Sequence, residues 1–348
     1  MRVGVDARHL TSGRGVARYT RSLLGALATT FPDDEWLAFV PGRDPVRAPP
    51  PGVRLVRHPL PGRALFGAAA VVRRPRLDRL LGGVDVIWAP APAPLAVSGD
   101  VPLVLTVHDR SFELRPGDFT PYERLWHRLA RPRALAVSAA AVVCDTEAGS
   151  ADLARTWGVA ASVVSPAPLA TTSPPEPDGA APYLLFVGAL EPRKAPDVLA
   201  AAYARARAGG LEADLVVVGE GRVPIAGPGV FRRPESADDA ALAALYAGAL
   251  AVVAPSWVEG FGLPPVEAAA LGTPSIVSDL AVFAETLGAG ALRVPRGDPA
   301  ALADALARIA TDDDLRERLG AAARRAAARY DWTRAAHALH AILERAAR

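Results

Sequence analysis

Ala254-Pro255-Ser256-Trp257-Val258-Glu259-Gly260-Phe261-Gly262-Leu263-Pro264-Pro265-Val266-Glu267-Ala268 reads as a strand end, a glycine-bearing loop and a helix start in immediate succession. Leu250 to Ala254 is a short apolar run of strand length. Pro264 is a favourable first residue for a helix that runs to Leu271 and stops at Gly272. The loop carries one carboxylate, Glu259, and two glycines, Gly260 and Gly262, which let the backbone come close to a bound molecule. Glu267 is expected in the first helical turn, where by itself it is equally well read as complementing the helix dipole. In an open parallel sheet this edge binds anions, because unpaired N–H groups of loops and helix starts point there.

The same unit recurs on both sides of this stretch. Upstream, strands are expected at Arg2–Asp6, Trp36–Val40, Val53–Arg57, Val84–Trp88, Pro102–Val107, Ala141–Asp145 and Ser162–Ser165. Helices are expected between them at Val16–Thr30, Leu65–Leu81, Pro121–Val137 and Glu147–Trp157. A proline-rich segment without periodicity, from Ser165 to Gly179, reads as a linker. Strands at Tyr183–Val187, Asp214–Val218, Leu250–Ala254, Pro274–Val277 and Ala291–Val294 follow, alternating with helices. Those helices are expected at Ala195–Ala208, Ala237–Tyr246, Pro264–Leu271, Pro299–Ala310 and Asp312–Ala328. Short Val/Leu-rich strands alternating with helices indicate an α/β protein of two doubly wound domains. The division read from the sequence is 1–170, 171–330 and a last helix, 331–348, with a stripe of Trp332, Ala336, Leu339 and Leu343.

Composition narrows the function. The 348 residues are 51% hydrophobic, ample for two cores, yet no unbroken apolar run of about 18 residues exists to span a bilayer. The start of the chain does not have the form of a signal peptide, and a lone Cys144 in an apolar run has no intramolecular disulfide partner. A cytoplasmic protein is expected. Net charge is only +2, but 21 basic face 15 acidic residues through Ala170, against 18 and 22 thereafter. No aromatic–basic interleaving or nucleic-acid motif accompanies the basic excess. The chain has no Asn or Gln, and Lys194 is its single lysine among 38 arginines. Such bias makes a retained lysine a pointer to a site that needs a compact ammonium.

Lys194 lies in Leu184-Leu185-Phe186-Val187-Gly188-Ala189-Leu190-Glu191-Pro192-Arg193-Lys194-Ala195, another strand end opening into a helix. Arg193 and Lys194 are either solvated charges or ligands for an anion at that helix start. Thr106-Val107-His108-Asp109 also ends a strand; the histidine is either a structural hydrogen-bonder or a ligand contact, and Asp109 a helper that orients loop or imidazole. Ser12-Gly13-Arg14-Gly15-Val16 joins the first strand to the first helix and alone is a weak turn signal.

Together these motifs resemble the retaining GT-B glycosyltransferases of family four, in which two glutamates flank a glycine loop as Glu259 and Glu267 do here. The resemblance implies two Rossmann-like domains facing a central cleft, with the last helix crossing back to the first. It implies transfer of a hexosyl group, mannosyl first, from a nucleotide diphosphate sugar to an acceptor hydroxyl with retention of configuration. Glu259 would contact the donor sugar and Glu267 the ribose. Backbone at Gly260, Phe261, Gly262 and Leu263 would meet the diphosphate, as would Arg193, Lys194 and Gly188. His108 would contact the donor sugar, with Gly15 and Val16 at the first glycine loop. Family members often have arginine where this chain has Ala189, which removes one phosphate contact. No D-x-D motif follows an appropriate strand, so neither metal nor cofactor is expected. A hydrolase using the two glutamates, or a non-catalytic GT-B partner subunit, are the alternatives.

Arg47 to Arg79 holds eight arginines against one acid, Asp78, interleaved with Leu65, Phe66, Val71, Val72, Leu77, Leu80 and Leu81. Such a helix is either a core helix with a solvated face or an interfacial helix on anionic lipid. The second reading adds peripheral contact with the inner face of the membrane and an acceptor that is a glycan, a lipid-linked group or a small molecule.

Overall fold

Residues apolar on both faces become strands covered by helices on both sides. In a computed structural model that describes residues 1–11, 15–46, 49–168, 182–233 and 239–348, the strands are β1 Arg2–Asp6, β2 Glu35–Pro41, β3 Val53–His58, β4 Val86–Ala89, β5 Leu103–Thr106, β6 Ala141–Cys144 and β7 Ala161–Val163. After them come β8 Tyr183–Val187, β9 Asp214–Val218, β10 Val230–Arg233, β11 Ala251–Ala254, β12 Ser275–Ser278 and β13 Ala291–Val294. Every residue of β4, β5, β11 and β12 is buried, as a parallel sheet between helix layers requires.

The chain forms two units, Met1–Pro166 with Asp331–Arg348, and Ala167–Tyr330. The first sheet has the order β3-β2-β1-β4-β5-β6-β7 and the second β10-β9-β8-β11-β12-β13, all pairs parallel. In each, the order reverses next to the first strand, between β1 and β4 and between β8 and β11. Loops at such a point diverge and leave a crevice at the carboxyl ends of the strands.

The helix Trp332–Ala347 belongs to the first unit. Asp331 caps it by accepting the Arg334 N–H at 2.9 Å, and Ala335, Ala336, Leu339, Ile342 and Leu343 bury into the core of β1, β4 and the helix Gly15–Thr30. Leu339 and Leu343 are fully buried, contributing roughly 1.5–3 kcal/mol each. Cys144 is buried on β6, and burial pushes its thiol up to about 12, which makes it an unreactive core residue.

Three expectations change. The helix expected over Leu65–Leu81 is two helices, Gly62–Val72 and Leu77–Leu80, because the chain turns left-handed at Arg73 (φ 55°) ahead of Pro75. The arginines therefore share no continuous apolar face: Leu65, Phe66 and Leu77 are core, while Val71 and Val72 are exposed. Pro121–Val137 also divides, at Arg131 (φ 47°), since Pro132 has no N–H to continue the helix. Finally, β10 was not visible in the sequence: it is an edge strand with three exposed residues and no alternation. Ser12, Gly13, Arg14, Arg47, Ala237 and residues 169–179 of the linker lie outside the described residues.

Candidate functional site

In the second unit, β8 and β11 are neighbours, with Leu184 opposite Ala251 and Leu185 opposite Val252, so the two loops singled out in the sequence leave the sheet side by side. The β8 loop is held against the β9 loop by backbone. The Gly188 N–H (φ 151°) donates to Val218 O at 3.0 Å and the Leu190 N–H to Glu220 O at 2.8 Å. Pro192–Lys194 then forms a 3-10 turn, and the helix Pro196–Ala208 begins after a left-handed Ala195. The Trp257 N–H donates to Arg193 O at 2.9 Å, stitching the β11 loop to this turn.

The charged centre follows from that stitch. Lys194 Nζ donates to Glu259 Oε1 at 2.5 Å, and Ser256 Oγ donates to the same oxygen at 2.7 Å. Lys194 and Glu259 are 17% and 9% exposed, so the pair sits at the rim, largely shielded yet reachable. Gly262 (φ 83°) starts the helix Leu263–Ala270, and a Cβ there would lie 2.5 Å from the Phe283 ring. Only glycine fits. The Phe261 ring is buried and meets Tyr330 edge-on at 4.9 Å, so what this residue offers a ligand is its backbone.

Glu267 is placed differently from expectation. The helix starts one residue earlier than read, and Glu267 is its fifth residue, past the first turn. It is 3% exposed and accepts from the Tyr246 hydroxyl at 2.8 Å, so it is a tethered buried carboxylate rather than a dipole-complementing one.

In the first unit, Gly15 and Val16 begin the helix Gly15–Thr30. One turn further, Tyr19 meets the His108 ring edge-on at 4.7 Å. His108 leaves the end of β5, and its sheet neighbour β6 ends beside Asp145, which is why His108 Nδ1 lies 2.8 Å from Asp145 Oδ2. Asp109 accepts the Ser111 N–H at 2.8 Å, which pins the loop, and its charge adds to the upward pull on the His108 pKa. Burial pulls the His108 pKa down, but the Asp145 charge and hydrogen bond more than reverse this and hold it above the ordinary value of about 6.5. Nε2 is buried and closes no hydrogen bond with protein, although the Pro90 carbonyl is near enough to add to the upward pull.

Asp145→Asn is expected to lower the His108 pKa, read by NMR titration of the imidazole. A pKa raised on folding stabilises the first unit fully below about pH 6.5 and ceases to as pH rises through the raised value. The variant is therefore expected to lose stability at acid pH and little at alkaline pH. An unchanged titration in the variant would mean that Asp145 does not govern His108.

Asp145, Ser256 and Tyr246 are the site residues that the sequence did not reveal. A strand-end position was the one signal for Asp145, and proximity in sequence to Glu259 the one for Ser256. Among the described residues, no group of three His, Cys, Asp or Glu is arranged to hold a metal, and no helix is long and apolar enough to cross a membrane.

Comparison with known proteins agrees with this arrangement. Residues 13–168 match the family described as Glycosyltransferase Family 4, and residues 181–312 match Glycosyl transferases group 1. The chain is 30% identical to a D-inositol 3-phosphate glycosyltransferase of Jonesia denitrificans over 336 residues, covering 84% of this chain and 78% of the relative. Over 110 residues, 31% of this chain and 29% of the relative, it is 44% identical to a phosphatidyl-myo-inositol mannosyltransferase of Mycobacterium leprae. Among solved structures, sucrose-phosphate synthase from Thermosynechococcus elongatus shares the fold with a TM-score of 0.77 at 20% identity, over 99% of this chain and 98% of that one. The two doubly wound units, the glycine loop between two glutamates and a relative matched over most of its length agree: this chain belongs to the family 4, group 1 glycosyltransferases of GT-B fold.

Proposed function

We propose that the chain transfers a hexosyl group, mannosyl in the first instance, from a nucleotide diphosphate sugar to an acceptor hydroxyl with retention and without a metal. The observation that carries this is the Lys194–Glu259–Ser256 cluster beside the glycine loop of β11. A lysine already paired with a carboxylate is held in place before the donor arrives, so little reorganisation is needed when charge develops on the leaving diphosphate. Arg193 and the backbone N–H groups of residues 260–263 share that charge, with the helix start adding its dipole. Glu259, freed in part from Lys194 by the diphosphate, accepts from sugar hydroxyls. Glu267 accepts from the ribose while Tyr246 holds its other face. His108, oriented by Asp145, meets the donor sugar or the backbone beside it. A leaving phosphate oxygen takes the acceptor proton, so no enzyme nucleophile is involved.

The mannosyltransferase name of the Mycobacterium leprae relative supports mannose, and both relatives' names support an inositol-containing acceptor. A thermal-shift panel of GDP, UDP, dTDP and ADP with their sugars identifies the donor, because a ligand stabilises in proportion to its affinity. NMR of the first-formed product is expected to show the donor's anomeric configuration, with activity intact in EDTA. Inversion, or loss of activity in EDTA restored by Mg²⁺, would overturn the mechanism.

The two glutamates are expected to separate kinetically. Glu267→Gln weakens nucleotide binding, whereas Glu259→Gln slows transfer with nucleotide affinity nearly kept. Calorimetric titration with nucleotide alongside steady-state kinetics distinguishes them, and wild-type behaviour of both variants would place the donor elsewhere.

A further inference from the structure

Residues 112–137 of the first unit concentrate positive charge that the donor site does not use. Arg124, Arg128 and Arg131 are spaced i, i+4 and i+7, so they follow one stripe of the helix Pro121–Ala130 and its cap, and Arg133 comes next. Like charges at i, i+4 repel and destabilise a helix. Among the described residues none of these four forms an ion pair, and the nearby carboxylates are engaged elsewhere. Glu123 closes a capping box with Thr120, accepting its N–H at 2.8 Å. Glu113 accepts from Arg110 at 2.8 Å and from the Trp157 indole at 2.9 Å, and Asp118 is bound by Arg115.

These arginines line a cavity of about 640 Å³. That is the size of a small-molecule site and far more than one phosphate fills. Aromatic rings line it as well: the His127 ring stacks on Phe112 at 5.0 Å and meets Phe119 edge-on at 5.1 Å. His127 Nδ1 is buried without a hydrogen-bond partner, and burial holds the ring's pKa below its ordinary value, so the imidazole is uncharged at neutral pH, while the Glu113 carboxylate on the lining is paired with Arg110. Three guanidiniums without an ion pair and a cluster of aromatic rings on one cavity give it a cationic and an apolar part.

We propose that this cavity binds an anionic amphiphile, whose phosphate or carboxylate meets Arg124, Arg128 and Arg131 and whose apolar body lies on Phe112 and Phe119. Guanidinium forks engage such anions through paired N–H donors, and the aromatic wall rewards an apolar chain that free phosphate lacks. The proposal stands apart from sugar transfer, because binding is read with no donor present.

The test is isothermal titration of the whole protein with decyl phosphate, against inorganic phosphate and uncharged decyl glucoside. Decyl phosphate is expected to bind one site at least tenfold more tightly than either control. Arg124→Ala/Arg128→Ala should weaken it tenfold or more, while helix content by circular dichroism is kept, since alanine favours the helix. Phe119→Ser should weaken decyl phosphate and leave inorganic phosphate unchanged, which separates a formed cavity from loose ion pairing. Sedimentation with phosphatidylcholine vesicles of rising phosphatidic acid content then assigns the source. Pelleting that the double variant loses supports a lipid, and decyl phosphate binding without pelleting supports a soluble ligand. Equal affinity for the controls, or a double variant that binds decyl phosphate like wild type, would overturn the proposal.

Discussion

Lys194→Ala is expected to cut sugar transfer by roughly 10²- to 10³-fold, the loss associated with one preorganised donor aimed at developing charge. The structure adds a reason for a large effect. Nζ is the group that meets Glu259 at 2.5 Å, so its loss leaves the Glu259 carboxylate with Ser256 and without its own cation where a diphosphate would have to approach. Two negative groups would then face each other in a partly shielded place, where repulsion is poorly screened. Lys194→Arg is not expected to restore the rate, because a planar fork cannot occupy the short reach between Glu259 and a phosphate as a compact ammonium does. In a chain with 38 arginines, that is the position where arginine was not used. Single-turnover kinetics check the effect, and transfer by the alanine variant within a few-fold of wild type would remove Lys194 from the site.

Gly219→Ala is expected to damage the second unit more than any charge change. Gly219 has a φ of 133°, and a Cβ there would lie 2.1 Å from the carbonyl oxygen of Gly188, a backbone atom that has no rotamer to escape into. Strain of this kind costs ~1–3 kcal/mol and overpacking about as much again, so a loss of about 3 kcal/mol or more is expected. For a unit of this size that lowers the melting transition by roughly 6–12 °C in calorimetry. The displaced Gly188 strand end also carries the turn with Arg193 and Lys194, so transfer should fall with stability. Gly210→Ala is the control: its φ of 98° brings the same kind of strain, but no atom lies within 4 Å of the added Cβ. A Gly219→Ala protein no less stable than Gly210→Ala would show that the β8 and β9 loops separate easily.

Much of the fold could be read locally. Tyr183–Val187, Asp214–Val218, Ala291–Val294 and Glu147–Trp157 occur where their patterns placed them, because burial on both faces or on one stripe writes itself into the order of residues. The glycine-and-glutamate loop was legible for the same reason: strand end, loop and helix start are contiguous in the chain. Elements with weak burial or with proline inside were read less well, namely β10, the break at Arg131 and the break at Arg73. Where solvent covers an element its residues carry no periodicity, and where proline removes one N–H the local turn decides.

By itself the sequence determined the two doubly wound units, the positions of His108, Lys194 and Glu259 in loops after strands, and the family. Pairing was decided by tertiary structure. Lys194 meets Glu259 across 65 residues because β8 and β11 are made neighbours by the reversal of strand order, and His108 meets Asp145 across 37 because β5 and β6 are adjacent. Glu267 is a buried, Tyr246-tethered group only once the helix of Tyr246 packs on its own. The last helix joins the first unit since that is where its apolar stripe finds a complementary core. Local pattern specifies which face of an element is apolar and where its end lies, while the partner across the sheet depends on which strands the whole chain brings side by side.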